Sequence, residues 1–78
     1  MLEPMPPLRV VFGKRVRERR LELGLTQEKL AELAKRHWTY IGAIERGERN
    51  VTLAVVEAIA KALQVDVTTL FHSERDET

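Results

Sequence analysis

Between Lys35 and Gly47 the chain reads "KRHWTYIGAIERG", which places a lysine, an arginine, a histidine, a tryptophan, a threonine and a tyrosine in six consecutive positions. Only four aromatic residues occur in the whole chain, so setting both polar-tipped rings beside a cationic pair concentrates donors and apolar faces in one segment. Such groups suit non-covalent contact, because guanidinium, hydroxyl and amide groups donate to phosphate oxygens and a threonine adds a methyl. A core could equally absorb the two rings. Covalent chemistry is not supported. No nucleophile and base, carboxylate pair or metal-ligand cluster converges, His37 lacks a second ligand at a workable spacing, and His72 falls in the tail. An enzyme is therefore not expected, nor a metal, a cofactor or a small-molecule ligand.

The elements that must position this segment follow from apolar spacing and capping residues. Phe12, Val16, Arg20 and Leu23 recur on one face of a helix from Leu8 to Leu23, which Gly24 stops. Thr26 caps a second helix, Gln27 to Ala34 or Lys35, with Glu28 in its first turn and Leu30, Leu33 and Ala34 on one side. His37 caps a third from Trp38 to Arg46, in which Ile41, Ile44 and Glu45 face inward, and Gly47 closes it. Thr52 caps a fourth with the stripe Leu53, Val56, Ile59, Ala60 and Leu63, and Asp66 caps a short fifth from Val67 to Phe71. No strand-like alternation or repeat appears, so the class is all-α. The proline-rich residues 1–7 read as a loose arm, residues 8–71 as one domain and residues 72–78 as a polar, frayed tail.

A chain of 78 residues suits one domain with a small core. The absence of cysteine excludes disulfides and thiolate metal sites and fits a reducing cytoplasm. No secretory or membrane-spanning segment is visible, so no membrane partner is expected. The net charge of +1 hides an asymmetry: residues 1–50 hold 11 basic against 7 acidic side chains, and residues 51–78 hold 2 against 5. A basic half can collect a polyanion or simply be solvated.

Two short helices joined by a tight turn, with branched apolar residues inside the second, suit a helix-turn-helix over about residues 27–46. In that motif the second helix enters the DNA major groove by its N-terminal half, which puts Trp38, Thr39 and Tyr40 at the point of contact. Arg20 and Glu45 fall on the inward stripes of their helices, where charges are seldom left unpaired, so a mutual ion pair is expected, the alternative being that both side chains reach solvent.

The runs "LGLTQEKLAELA", "TYIGAIERGERN" and "IAKALQV" together resemble the phage-repressor or XRE-like family of helix-turn-helix regulators, and "TYIGAIERGERN" resembles restriction-modification controller proteins. The resemblance covers about residues 11–71. It implies a compact five-helix domain, like that of lambda repressor, that binds a palindromic operator in double-stranded DNA as a homodimer and regulates transcription. RNA polymerase is then a further expected partner. Carried over by position, Gln27 would bond a phosphate or base, Trp38, Thr39, Tyr40 and Ala43 would occupy the recognition helix, and Arg46, Arg49 and Asn50 would lie near the duplex backbone. The family also knows a buried Arg–Glu pair, matched here by Arg20 and Glu45. Two positions depart from the pattern. Relatives often carry arginine where this chain has Trp38, which removes a bidentate contact to guanine and leaves the indole to pack on DNA or to shield the helix start. The turn usually holds glycine and an apolar residue where this chain has Lys35 and Arg36, so a slight rearrangement is expected there, with both cations near phosphates or merely solvated.

One recognition helix supplies few base contacts, so a two-fold dimer is expected. Val51, Val55, Val65, Val67, Leu70 and Phe71 exceed what a small core absorbs and mark its interface, although some of them must close the core. A different class of function, a helical protein-interaction module resembling an antitoxin or adaptor without base reading, would use Trp38 as its hot spot.

Overall fold

The computed structural model describes residues 6–72. Four α-helices, α1 (Leu8–Glu22), α2 (Gln27–Ala34), α3 (Trp38–Glu45) and α4 (Leu53–Leu63), precede a 3-10 turn, Val67–Phe71. Among the described residues there is no strand, and no helix is long and apolar enough to cross a membrane. The fifth element thus winds more tightly than an α-helix. Five residues that include Val67, Thr68 and Thr69 are too few and too β-branched to sustain one. The loose arm and the frayed tail expected at the two ends lie outside the described residues, apart from Pro6, Pro7 and His72.

Helix starts are set by side chains that accept from orphan backbone N–H groups. Thr26 accepts from Lys29 N at 3.0 Å, His37 Nδ1 from Thr39 N at 3.3 Å and Thr52 from Val55 N at 3.2 Å. At the other ends, Gly24 and Gly47 take left-handed conformations with φ of 70° and 75°. Lys35 does the same with φ 57° and ψ 46°, so the turn after α2 is not rearranged to spare it. The conformation costs a lysine about 1 kcal/mol or more compared with glycine. In return, Arg36 N–H reaches Ala31 O at 2.9 Å and Lys35 N–H reaches Glu32 O at 3.2 Å, which satisfies two terminal carbonyls.

Phe12, Val16, Leu30, Ile41, Ile44, Ile59, Leu63 and Leu70 form the fully buried centre. Three sequence expectations are corrected here. Leu33 and Leu53 lie 46% and 82% exposed: the other members of each expected stripe are buried, with Ala31 in α2 and Val55 in α4 buried in place of these two leucines. Leu70 is fully buried and Val55 is 8% exposed, so both are spent inside the monomer rather than offered to a partner. Phe71 is half-buried and stacks on Phe12 with centroids 5.2 Å apart.

Two features place α3. A Cβ on Gly13 would lie 2.1 Å from Ile44 O and 3.1 Å from Glu45 O, so α1 meets the last turn of α3 only because residue 13 has no side chain. Beside that contact, Arg20 Nε and Nη2 donate to the two oxygens of Glu45 at 2.6 and 3.0 Å, with both side chains almost wholly buried. Arg20 Nη1 donates to Leu25 O at 2.8 Å, and Gln27 Nε2 donates to Glu45 Oε1 at 3.1 Å. The hydrogen bond to Glu45 raises the Arg20 pKa above its ordinary value, against the lowering effect of burial and with smaller help from the charges of Glu45 and Glu28. Arg20 therefore keeps its charge, and these contacts tie α1, the loop after it, the start of α2 and the end of α3 into one unit.

Gly13→Ala is expected to lower unfolding free energy by about 2 kcal/mol or more, read as a shifted urea midpoint, since backbone rather than a flexible side chain must yield. Arg20→Met should cost about 3 kcal/mol by leaving a buried carboxylate unpaired, and adding Glu45→Met should recover most of that loss. A single variant as stable as the parent would deny the pair its positioning role.

Candidate nucleic-acid interface

The leading end of α3 stands clear of the core. Its inward residues Ile41, Gly42, Ala43 and Ile44 are buried, whereas Lys35, Arg36, His37, Trp38 and Thr39 are all exposed. Burial of the second half against α1 and α2 leaves only the first turn and the preceding loop to meet anything outside. Trp38 keeps 50% of its surface open, so it is not a core residue. Its ring instead stacks with His37, centroids 6.3 Å apart and planes inclined by 24°. Tyr40 is half-buried, and the Arg49 guanidinium lies 5.5 Å from its ring centroid, a cation–π contact that draws the loop after α3 toward the helix.

The structure does not treat every sequence candidate alike. Gln27 is half-buried and its amide N–H₂ is engaged by Glu45, while its Oε1 lies 3.5 Å from where a Cβ on Gly42 would stand. Arg46 Nη1 would be 3.2 Å from the same point, and Arg46 Nε donates to Glu48 at 3.1 Å. Gln27, Gly42 and Arg46 thus gather in a second patch around the second turn of α3. Ala43 is 8% exposed, which leaves its methyl little surface to offer; it packs inward instead. Asn50 is exposed but lines a shallow groove with Leu8, Val51, Leu53 and Phe71, apart from the Trp38 cluster.

Sequence reasoning left three participants out. His37 read as a cap only, yet its Nδ1 also lies 2.8 Å from Thr39 Oγ1. Gly42 carries the signal of a glycine inside a helix, which marks close approach of another group. Glu48 carried no expectation of its own, and nothing in its type foretold the pairing with Arg46.

The charge asymmetry needs adjustment as well. Several α1 arginines serve the fold: Arg9 Nε donates to Gly47 O at 3.1 Å and Arg19 Nε to Leu63 O at 3.1 Å, closing the ends of α3 and α4. Arg15 similarly donates to the backbone carbonyl of His72. The cations left at the exposed end of α3 are Lys35 and Arg36; Arg46 and Arg49 follow its other end, held by Glu48 and the Tyr40 ring.

A short helix with a buried rear half, an exposed polar first turn and a preceding helix locked to it is the geometry of a helix-turn-helix. Comparison with known proteins gives the same answer. Residues 16–70 match the family described as helix-turn-helix. The control protein C.BamHI of Bacillus amyloliquefaciens is 45% identical over 75 residues, covering 87% of this chain and 93% of its own length. The crystal structure of the restriction-modification controller C.AhdI from Aeromonas hydrophila superposes with a TM-score of 0.78 at 44% identity, covering 81% of this chain and 96% of that one. C.Esp1396I, solved bound to a 25 base pair operator site, gives a TM-score of 0.76 at 37% identity over 86% of this chain and 88% of its own. From the locked pair of helices, the matched residues and these relatives together, the chain belongs to the phage-repressor or XRE-like helix-turn-helix family and is similar within it to restriction-modification control proteins.

Proposed function

We propose that the protein is a sequence-specific, DNA-binding regulator of transcription that acts as a homodimer on a palindromic operator, in the manner of a restriction-modification controller. The observation that carries this reading is the exposed first turn of α3, with Trp38 and Thr39 outward and Lys35 and Arg36 on the adjoining turn. Thr39 then faces base edges, Trp38 lays its apolar face on thymine methyls or sugars, and the cations meet phosphates. Gln27, Tyr40, Arg46 and Arg49 flank the groove, Tyr40 by its hydroxyl. Operator binding by the similar C.Esp1396I supports the assignment. Such a regulator would act in the cytoplasm, with RNA polymerase as a further candidate partner.

The dimer surface follows from what the monomer leaves uncovered. Leu8 and Leu53 are 67% and 82% exposed, and with Val51 and Phe71 they line one shallow groove. A second copy seated there would remove the most exposed leucine from water. Val67, 37% exposed, and the half-buried Val65 remain available to extend the contact; Val55 and Leu70 do not.

Selection of duplexes from a random pool tests the reading as a whole. A two-fold symmetric consensus with half-sites about 34 Å apart, or a multiple of that, is expected, with affinity falling steeply as salt rises. Weak, sequence-blind binding would favour the protein-interaction module instead. Thr39→Glu should weaken consensus binding by about a hundredfold or more through repulsion from the duplex, with helical circular dichroism unchanged. Leu53→Glu should shift sedimentation equilibrium toward monomer without loss of folding; a variant that stays dimeric would place the interface elsewhere.

A further inference from the structure

We propose that His37 fixes the hydrogen-bonding polarity of Thr39, so that Thr39 presents an acceptor to the base edge and reads an exocyclic amino group rather than purine N7 or guanine O6. The inference rests on the DNA-reading function proposed above and names what its central threonine recognises.

The polarity follows from one nitrogen. As the N-cap of α3, His37 Nδ1 receives the backbone N–H of Thr39 at 3.3 Å. A nitrogen that accepts there carries no hydrogen, so the ring proton sits on Nε2. A hydrogen on Nδ1 would instead point at the backbone N–H. Nδ1 also lies 2.8 Å from Thr39 Oγ1, and with Nδ1 bare the hydroxyl can only donate, the shorter of two hydrogen bonds that share the single ring lone pair. Stacking of the imidazole on Trp38 favours the orientation that makes both contacts.

A threonine hydroxyl owns one proton and two acceptor lone pairs. Once the proton is committed to His37, only lone pairs and the methyl remain for a partner. In the major groove, adenine N6 and cytosine N4 donate, whereas purine N7, guanine O6 and thymine O4 accept. Thr39 can therefore take a hydrogen bond from an amino group and lay its methyl on a thymine, but it has nothing to donate to N7, O6 or a phosphate. His37 is in this sense a positioning residue for specificity, and its Nε2–H remains free of the constraint.

Base analogues within the selected operator, assayed at pH 8, test the inference. Purine in place of adenine, or 2-pyrimidinone in place of cytosine, deletes the amino group, and 7-deazapurines delete N7. Thr39→Val, which keeps the methyl and loses the hydroxyl, first identifies the base pair that Thr39 reads. At that pair, amino deletion should weaken the parent protein about tenfold and N7 deletion should leave it unchanged. His37→Asn retains a side-chain acceptor at the cap and should keep this pattern. His37→Ala releases the hydroxyl proton, and the amino-deletion effect should shrink to about twofold. N7 sensitivity without amino sensitivity in the parent would overturn the inference, as would a His37→Ala pattern equal to the parent's or a Thr39→Val variant that binds every duplex as the parent does. If the random pool yields no consensus, the DNA-reading function itself fails, and this inference with it.

Discussion

The bidentate contact between Arg20 and Glu45 is the constraint on which the rest depends. Two charges are kept almost dry in a small domain, and the Coulombic gain of such a pair is largely offset by the loss of hydration. Its value lies in location. One guanidinium holds the end of α3 and the loop before α2, and one carboxylate holds that guanidinium and the Gln27 amide. Four segments are fixed relative to one another by two side chains, including the two helices whose mutual angle decides what the first turn of α3 can reach.

The same logic explains why counting charges overstates the outward basicity of the N-terminal half. Helix ends leave carbonyls without intrahelical partners, and α1 satisfies several of them with long, flexible donors. Arg9 and Arg19 close α3 and α4 respectively, and Arg15 reaches the carbonyl of His72 just past the final turn. Helix α1 is thus less a basic surface than a rack of caps. Of the outward cations, Lys35 and Arg36 adjoin the exposed first turn of α3, where the proposed partner needs them, while Lys14, Arg17, Lys29 and Lys61 face outward on the other helices.

Much of the fold was legible because it rests on local signals. Thr26, His37, Thr52 and Asp66 start their elements as capping chemistry predicts, and Gly24 and Gly47 end theirs. The inward placement of Arg20 and Glu45 was legible for the same reason: helical spacing put two opposite charges on inward faces, although the added contacts to Leu25 and Gln27 were not foreseen. What remained hidden depends on rotation and on tertiary neighbours. Leu53 reads as core by spacing, but it is the first residue of α4 and stays exposed while Val55 and Val56 of the same turn are buried. Leu70 and Val55 could not be divided between core and interface by type, since both demands favour the same apolar side chains. Lys35 shows a different limit, because the benefit of two satisfied carbonyls outweighs an unfavourable backbone conformation that sequence alone argues against. At the candidate site the types of residue were legible and their pairings were not: Gln27 turned out to be tied inward and His37 tied to Thr39.

The missing side chain at position 13 has a mechanical consequence. With the backbones of α1 and α3 in direct apposition and no compressible groups between them, there is no cushion across which the short rod could rock or slide. The backbone orientation of its tip is settled when the chain folds, so a docking molecule has only the exposed side chains of that turn left to order. Selectivity then resides in a rigid template that a wrong partner cannot persuade to adapt.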